Sequence, residues 1–156
     1  MLILGVDPGT ATTGYAIINN ERGKTKALEY GCIRTLQKKS DAERLAEIYL
    51  DLTRLIKKYR PKIVAVESVF FYNNVKTAIT VAQARGVVLL CARQNKIKIA
   101  EFTPLQVKSS LTGYGKAEKK QVQYMVKTLL NLKTIPKPDD AADALAIALC
   151  AVNFKD

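Results

Sequence analysis

The feature that most limits how this chain can fold is a change of hydrophobic period near residue 40. Before it, apolar residues come in short runs, Leu2 to Val6, Gly14 to Ile18 and Ala27 to Thr35, the last alternating at Leu28, Tyr30 and Cys32. With Asp-Pro-Gly after the first run and Asn19-Asn20 after the second, these read as three hairpin-linked strands. Beyond it, Leu45, Ile48, Tyr49, Leu52, Leu55 and Ile56 recur at helical spacing, with Ser40 or Asp41 as N-cap and an end expected near Tyr59, before Pro61. Lys62 to Val66 is again a β-branched run, so strand, helix, strand implies parallel pairing through a crossover.

The same signals continue to the end of the chain. Asn74 to Gln94 reads as a long helix apolar on more than one face, and Ile97 to Phe102 as a fifth strand. Thr103-Pro104 opens a short helix that Gly113-Tyr114-Gly115 breaks, and an amphipathic helix follows over about Ala117 to Leu130. Pro136 and Pro138 precede a last, nearly all-apolar helix, AADALAIALCAV, with Asp139 or Asp140 as cap. The expected architecture is α/β: a five-stranded mixed sheet flanked by helices, in a single domain over residues 1–156.

Composition narrows the chemistry. There is no histidine among the 156 residues, which removes Ser-His-Asp triads, Cys-His pairs and His-ligated zinc. Cys32, Cys91 and Cys150 are far apart and form no CxxC, as expected of reduced, buried thiols. MLILGVDPGT has neither a cationic leader nor the length of a span, so the expected location is the cytoplasm, with no membrane partner. Twenty-five Lys and Arg against 14 Asp and Glu give a net charge of +11, which points to a polyanion such as nucleic acid.

Four carboxylates hold the chemical interest. Asp7 and Glu67 end strands that can be neighbours, while Asp140 and Asp143 stand three apart on one helix face. Each also has a duller use: Asp7 opens a turn in VDPGT, and Asp139 or Asp140 caps a helix. Glu67 after KIVAV and Asp143 within AADALAIAL are harder to explain that way, because apolar surroundings ordinarily exclude an unpaired acid. Two such groups about 4 Å apart repel by roughly 4 kcal/mol at an effective dielectric of 20, so a cation is expected between them. Hard divalent ions take oxygen ligands and need no histidine, and a paired-ion site suits hydrolysis of a phosphodiester.

With LGVDPGTATTGYAII at the start, VAVESVFFYNNVKTAITVAQARGV in the middle, and TPLQVKSSLTGYGKAEKKQVQYMV and PDDAADALAIALC at the end, the chain resembles the RuvC family of bacterial Holliday junction resolvases, in the ribonuclease H-like superfamily. The resemblance covers essentially the whole chain. It implies a ribonuclease H-like fold, a homodimer, and Mg²⁺-dependent symmetric cleavage of a four-way DNA junction, with Mn²⁺ as a substitute. Carried over by position, it makes Asp7, Glu67, Asp140 and Asp143 the metal-binding catalytic acids. It also implies cooperation with the RuvA-RuvB branch-migration complex. DPGT alone is less specific and is similar to phosphate loops of actin and sugar-kinase folds.

Between Arg93 and Lys137 cations outnumber acids ten to two. Within that stretch, Lys116, Lys119 and Lys120 on a glycine-flexed helix start suit phosphate contact. The resemblance puts Lys108 and Lys119 beside the scissile phosphates. Phe70, Phe71 and Tyr72 cannot all face one core; one of them is expected to stack on an opened base, and the resemblance points to Phe70, with Phe71 adjacent. The readings that compete with a junction resolvase are a related nuclease acting on RNA and a catalytically silent junction binder.

Overall fold

Strand pleat decides which residues reach the functional end of this molecule. The computed structural model describes residues 1–68 and 75–154, with only the backbone of Lys76. Strands β1 (Leu2–Asp7), β2 (Thr12–Glu21), β3 (Lys24–Arg34), β4 (Ile63–Glu67) and β5 (Lys98–Phe102) form one sheet in the order β3-β2-β1-β4-β5. β1 pairs antiparallel with β2 and parallel with β4; β2–β3 is antiparallel and β4–β5 parallel. This is the mixed five-stranded sheet that the change of period predicts.

Helices cover both faces. Leu4 and Val6 of β1, with Val64 and Val66 of β4, pack against α1 (Asp41–Tyr59) and α2 (Val75–Gln94) through Ile48, Leu52, Val88 and Cys91. The alternate residues Ile3, Ile63 and Ala65 pack against α3 (Pro104–Thr112), α4 (Lys119–Leu129) and α5 (Asp139–Cys150). From Ala144 to Ala148 every residue of α5 is at most 1% exposed, as expected of a helix apolar all round.

The close seating of α5 depends on two glycines. A Cβ on Gly5 would stand 2.2 Å from the Ala144 carbonyl oxygen, and one on Gly14 would stand 2.0 Å from that of Asp140. Neither distance admits a side chain, so the helix backbone rests directly on β1 and β2.

Local signals are resolved in three places. Ser40, not Asp41, caps α1: the Ser40 amide donates to Glu43 Oε2 at 2.8 Å and Ser40 Oγ accepts from the Glu43 amide, a reciprocal pair. The β2–β3 hairpin runs past Asn19-Asn20 and turns at Arg22-Gly23, both with positive φ, the two-residue turn whose twist matches its strands. The expected cap of α5 is corrected. Pro138 occupies the N-cap position, its carbonyl accepting from the amides of Ala141 and Ala142, and both Asp139 and Asp140 lie inside the first turn. Their carboxylates are thereby free of capping duty. Among the described residues no helix is long and apolar enough to cross a membrane.

Candidate active site

Parity along the two central strands puts two acids on one face. Ile3 and Gly5 of β1 face α5, so Asp7 does too; Ile63 and Ala65 of β4 share that face, so Glu67 does as well. The strands are parallel and in register from Ile3–Ile63 to Val6–Val66, and one step further leaves the two acids side by side where the strands end. Gly14 is the β2 partner of Asp7, and the Asp140 carbonyl lies against Gly14. The start of α5 therefore sits over the same strand ends, bringing Asp140 and Asp143 to Asp7 and Glu67.

These groups act on one another electrically. Burial, followed by the charges of Glu67, Asp143 and Asp140, pushes the Asp7 carboxyl up to about 7, with Lys119 opposing. Glu67 is raised by burial and by Asp143, against the pull of Lys108, and Asp143 is raised chiefly by burial in spite of a hydrogen bond from Lys119. Among the described residues no three such side chains already close on a single point as a ready-made metal cage. Two of the acids, Glu67 and Asp143, border a cavity of about 230 Å³.

That cavity is lined by Glu67, Asp143, Lys108 and Lys119, over an apolar floor that includes Val107, Val122 and Ile147. Lys119 Nζ donates to Asp143 Oδ2 at 3.0 Å and stands 3.4 Å from Asp139 Oδ2. Gln123 Nε2 donates to Asp139 Oδ1 at 3.2 Å, one turn along α4. Asp139 is a participant that the sequence reading gave only a cap's role; the signal available was Lys119 and Gln123 at i, i+4, a pair of donors on one side of α4. Lys116, in the α3–α4 connection, and Lys120, on the first turn of α4, are exposed and do not line the cavity. Phe70, Phe71 and Tyr72 lie outside the described residues.

The loop after Asp7 is bolted down by hydroxyls. Thr13 Oγ1 donates to the Gly9 carbonyl at 2.6 Å, Thr10 Oγ1 to that of Thr80 on α2 at 2.7 Å, and Thr35 Oγ1 to that of Thr10 at 2.6 Å. Arg44 Nε then donates to Thr35 Oγ1 at 2.8 Å. The DPGT segment is thus both a turn and a support for the acid at its head.

Comparison with known proteins agrees with this geometry. The family model described as crossover junction endodeoxyribonuclease RuvC matches residues 3–151. A protein of that name from Halothermothrix orenii is 56% identical over 98% of this chain and 93% of its own length, and one from Syntrophomonas wolfei is 55% identical over 98% and 89%. The solved structure of Thermus thermophilus RuvC superposes with a TM-score of 0.88 at 35% identity, covering 96% of this chain and 92% of that one. A second structure of the T. thermophilus protein, in complex with a Holliday junction substrate, also gives 0.88, at 33% identity. The yeast mitochondrial resolvase Ydc2 shares the fold alone, at 15% identity and a TM-score of 0.66. A ribonuclease H-like sheet, four acids gathered at its strand ends and a family match over nearly the whole length agree: the chain belongs to the RuvC family of crossover junction endodeoxyribonucleases.

Proposed function

We propose that this protein resolves Holliday junctions by Mg²⁺-dependent symmetric nicking of two opposed strands, with Asp7, Glu67, Asp140 and Asp143 as the metal-binding catalytic acids of one nuclease domain. The observation that carries the reading is the convergence of these acids from β1, β4 and α5 on one another, beside a cavity that Glu67, Asp143 and two lysines line. The donor set fits a hard divalent ion: all oxygen, no histidine, and mutual repulsion that a cation relieves. When bound, Mg²⁺, or Mn²⁺ in its place, would activate the attacking water and compensate charge on the leaving oxygen. Lys108 and Lys119 neutralise the scissile phosphate, Lys119 exchanging Asp143 for it, while Lys116 and Lys120 contact phosphates outside the cavity. Phe70 and Phe71 take the opened bases, RuvA-RuvB supplies the migrating junction, and the setting is the cytoplasm, consistent with three free thiols.

The paired nicks call for two sites related by a two-fold axis. Val75, Ile79, Gln83, Gly86 and Leu90 form one exposed stripe along α2, with Val75 73%, Ile79 52% and Leu90 53% exposed. That face suits a second copy of the chain. Ile79→Glu is expected to sediment as a monomer and to leave unpaired nicks; a dimer that still makes paired nicks removes this interface.

The direct test incubates the protein with a synthetic mobile four-way junction, matched duplex and RNA–DNA hybrid, with Mg²⁺ or chelator, and maps the products. Symmetric nicks in the junction alone, lost in chelator, are expected. Cutting of the hybrid moves the activity to RNA, and binding without cutting makes the protein a silent binder.

A further inference from the structure

The connection between α3 and α4 presents an aromatic ring to solvent from a hydrogen-bonded backbone. Tyr114 is 59% exposed, yet its amide donates to Thr112 Oγ1 at 3.1 Å. Its carbonyl accepts from Thr112 Oγ1 at 3.0 Å and from the Ala117 amide at 3.1 Å. Gly113, at φ 75°, ends α3 with its amide bonded to the Ser109 carbonyl. Next along the chain from Tyr114 is Gly115, and Leu105, 61% exposed, lies over it: a Cβ there would stand 2.9 Å from Leu105 Cγ.

Tyr114 on this connection and Leu105 on α3 are two large apolar groups left in water among the described residues. Their surroundings indicate what covers them. Leu105 lies on α3 between Pro104 and Val107, both of which line the acid-bordered cavity, and Lys108 is on the next turn. Lys116 and Lys120 are exposed within six residues of Tyr114, and Lys119 reaches the cavity from the first turn of α4. An exposed aromatic face set among lysines is the pattern by which proteins hold single-stranded nucleic acid: the cations follow the phosphates and the ring takes a base.

We propose that Tyr114, with Leu105 alongside, is a stacking platform for one unpaired nucleobase of the strand entering the cavity. The proposal rests on the junction-resolving reading above and adds a second place, on a different loop from Phe70 and Phe71, where an opened base is held. The contact is to the face of the ring, so it is blind to base identity and carries no phosphate charge.

Three substitutions test it: Tyr114→Ala, Tyr114→Phe and Tyr114→Leu, each titrated against a synthetic four-way junction in chelator over a range of salt, with thermal melting run alongside. Tyr114→Ala is expected to weaken binding by roughly five- to a hundredfold, the worth of one base–aromatic stack. The slope of log affinity against log salt is expected to stay unchanged, because no phosphate contact is lost. Tyr114→Phe is expected to bind within twofold of wild type, and Tyr114→Leu as weakly as Ala. The platform is overturned if Tyr114→Ala binds within twofold, if Leu rescues as well as Phe, or if Phe fails with Ala, which would mean a hydroxyl contact. A slope shallower by about 0.9 in Tyr114→Ala would equally overturn it. Should the Ala protein fail to fold, the contrast between Phe and Leu decides alone. Wild type separates the two layers: if it neither binds nor cuts the junction, the proposed function falls, whereas normal wild-type behaviour with an indifferent ring removes only the platform.

Discussion

Asp7→Asn is expected to lower junction cutting by about a thousandfold or more while leaving junction binding intact, and at the same time to stabilise the metal-free protein above neutral pH. The two effects have one origin. Asp7 is held where its charge is unwelcome, half-buried and facing Glu67, Asp143 and Asp140, and its carboxyl is pushed from 3.8 up to about 7. Between those values the unfolded chain has lost a proton that the native state keeps, so native stability falls as pH rises through the window. The loss is complete above about pH 7 and absent below about pH 4. At 1.36 kcal/mol per unit it amounts to at most about 4 kcal/mol. Asparagine keeps the shape without the charge, so denaturant melts of the two proteins should coincide at pH 4 and diverge towards pH 8, the Asn variant being the more stable. Mg²⁺ should then raise the melting temperature of wild type more than that of the variant. Full cutting by the Asn protein, or a wild type whose stability is flat between pH 4 and pH 8, would contradict the role given to this residue.

Gly14→Val is expected to destabilise the protein strongly and to abolish cutting. Its Cβ would meet the Asp140 carbonyl oxygen at 2.0 Å and the carbonyl carbon at 2.5 Å. Both are backbone of the first turn of α5, which has no rotamer to escape into. The helix has to lift from β2, and overpacking of this kind costs about 3 kcal/mol or more. Cutting should be lost with it, since lifting α5 withdraws Asp140 and Asp143 from Asp7. Urea melts and the junction assay give the two readouts. A Gly14→Val protein with wild-type stability would show that α5 is not seated as described.

The ends of β1 and β4 were legible because these two apolar runs finish in an acid, and pleat parity does the rest: once β1 and β4 are parallel neighbours, Asp7 and Glu67 must share a face. Helical spacing likewise gave Asp140 and Asp143 a common side. The polar far end of the β2–β3 hairpin was not legible, since Asn19, Asn20 and Lys24 to Lys26 carry no apolar pattern and are held by backbone pairing and turn geometry. Nor was the cap of α5, where two aspartates look like good caps but Pro138 takes the position. The partnership of Lys119 and Gln123 with Asp139 and Asp143 joins residues 16 to 24 apart through packing of α4 on α5, a relation no local pattern encodes.

Where α5 crosses Gly5 and Gly14, its contact with the sheet is made by main chain, with no side chain of the sheet between them. A helix seated on leucines can slide as they repack; one seated on its own backbone has almost no such slack. The spacing of the acids is therefore set when the chain folds and not when substrate arrives. Little reorganisation remains to be done at the moment of reaction, which is the condition under which fixed charges lower a barrier most.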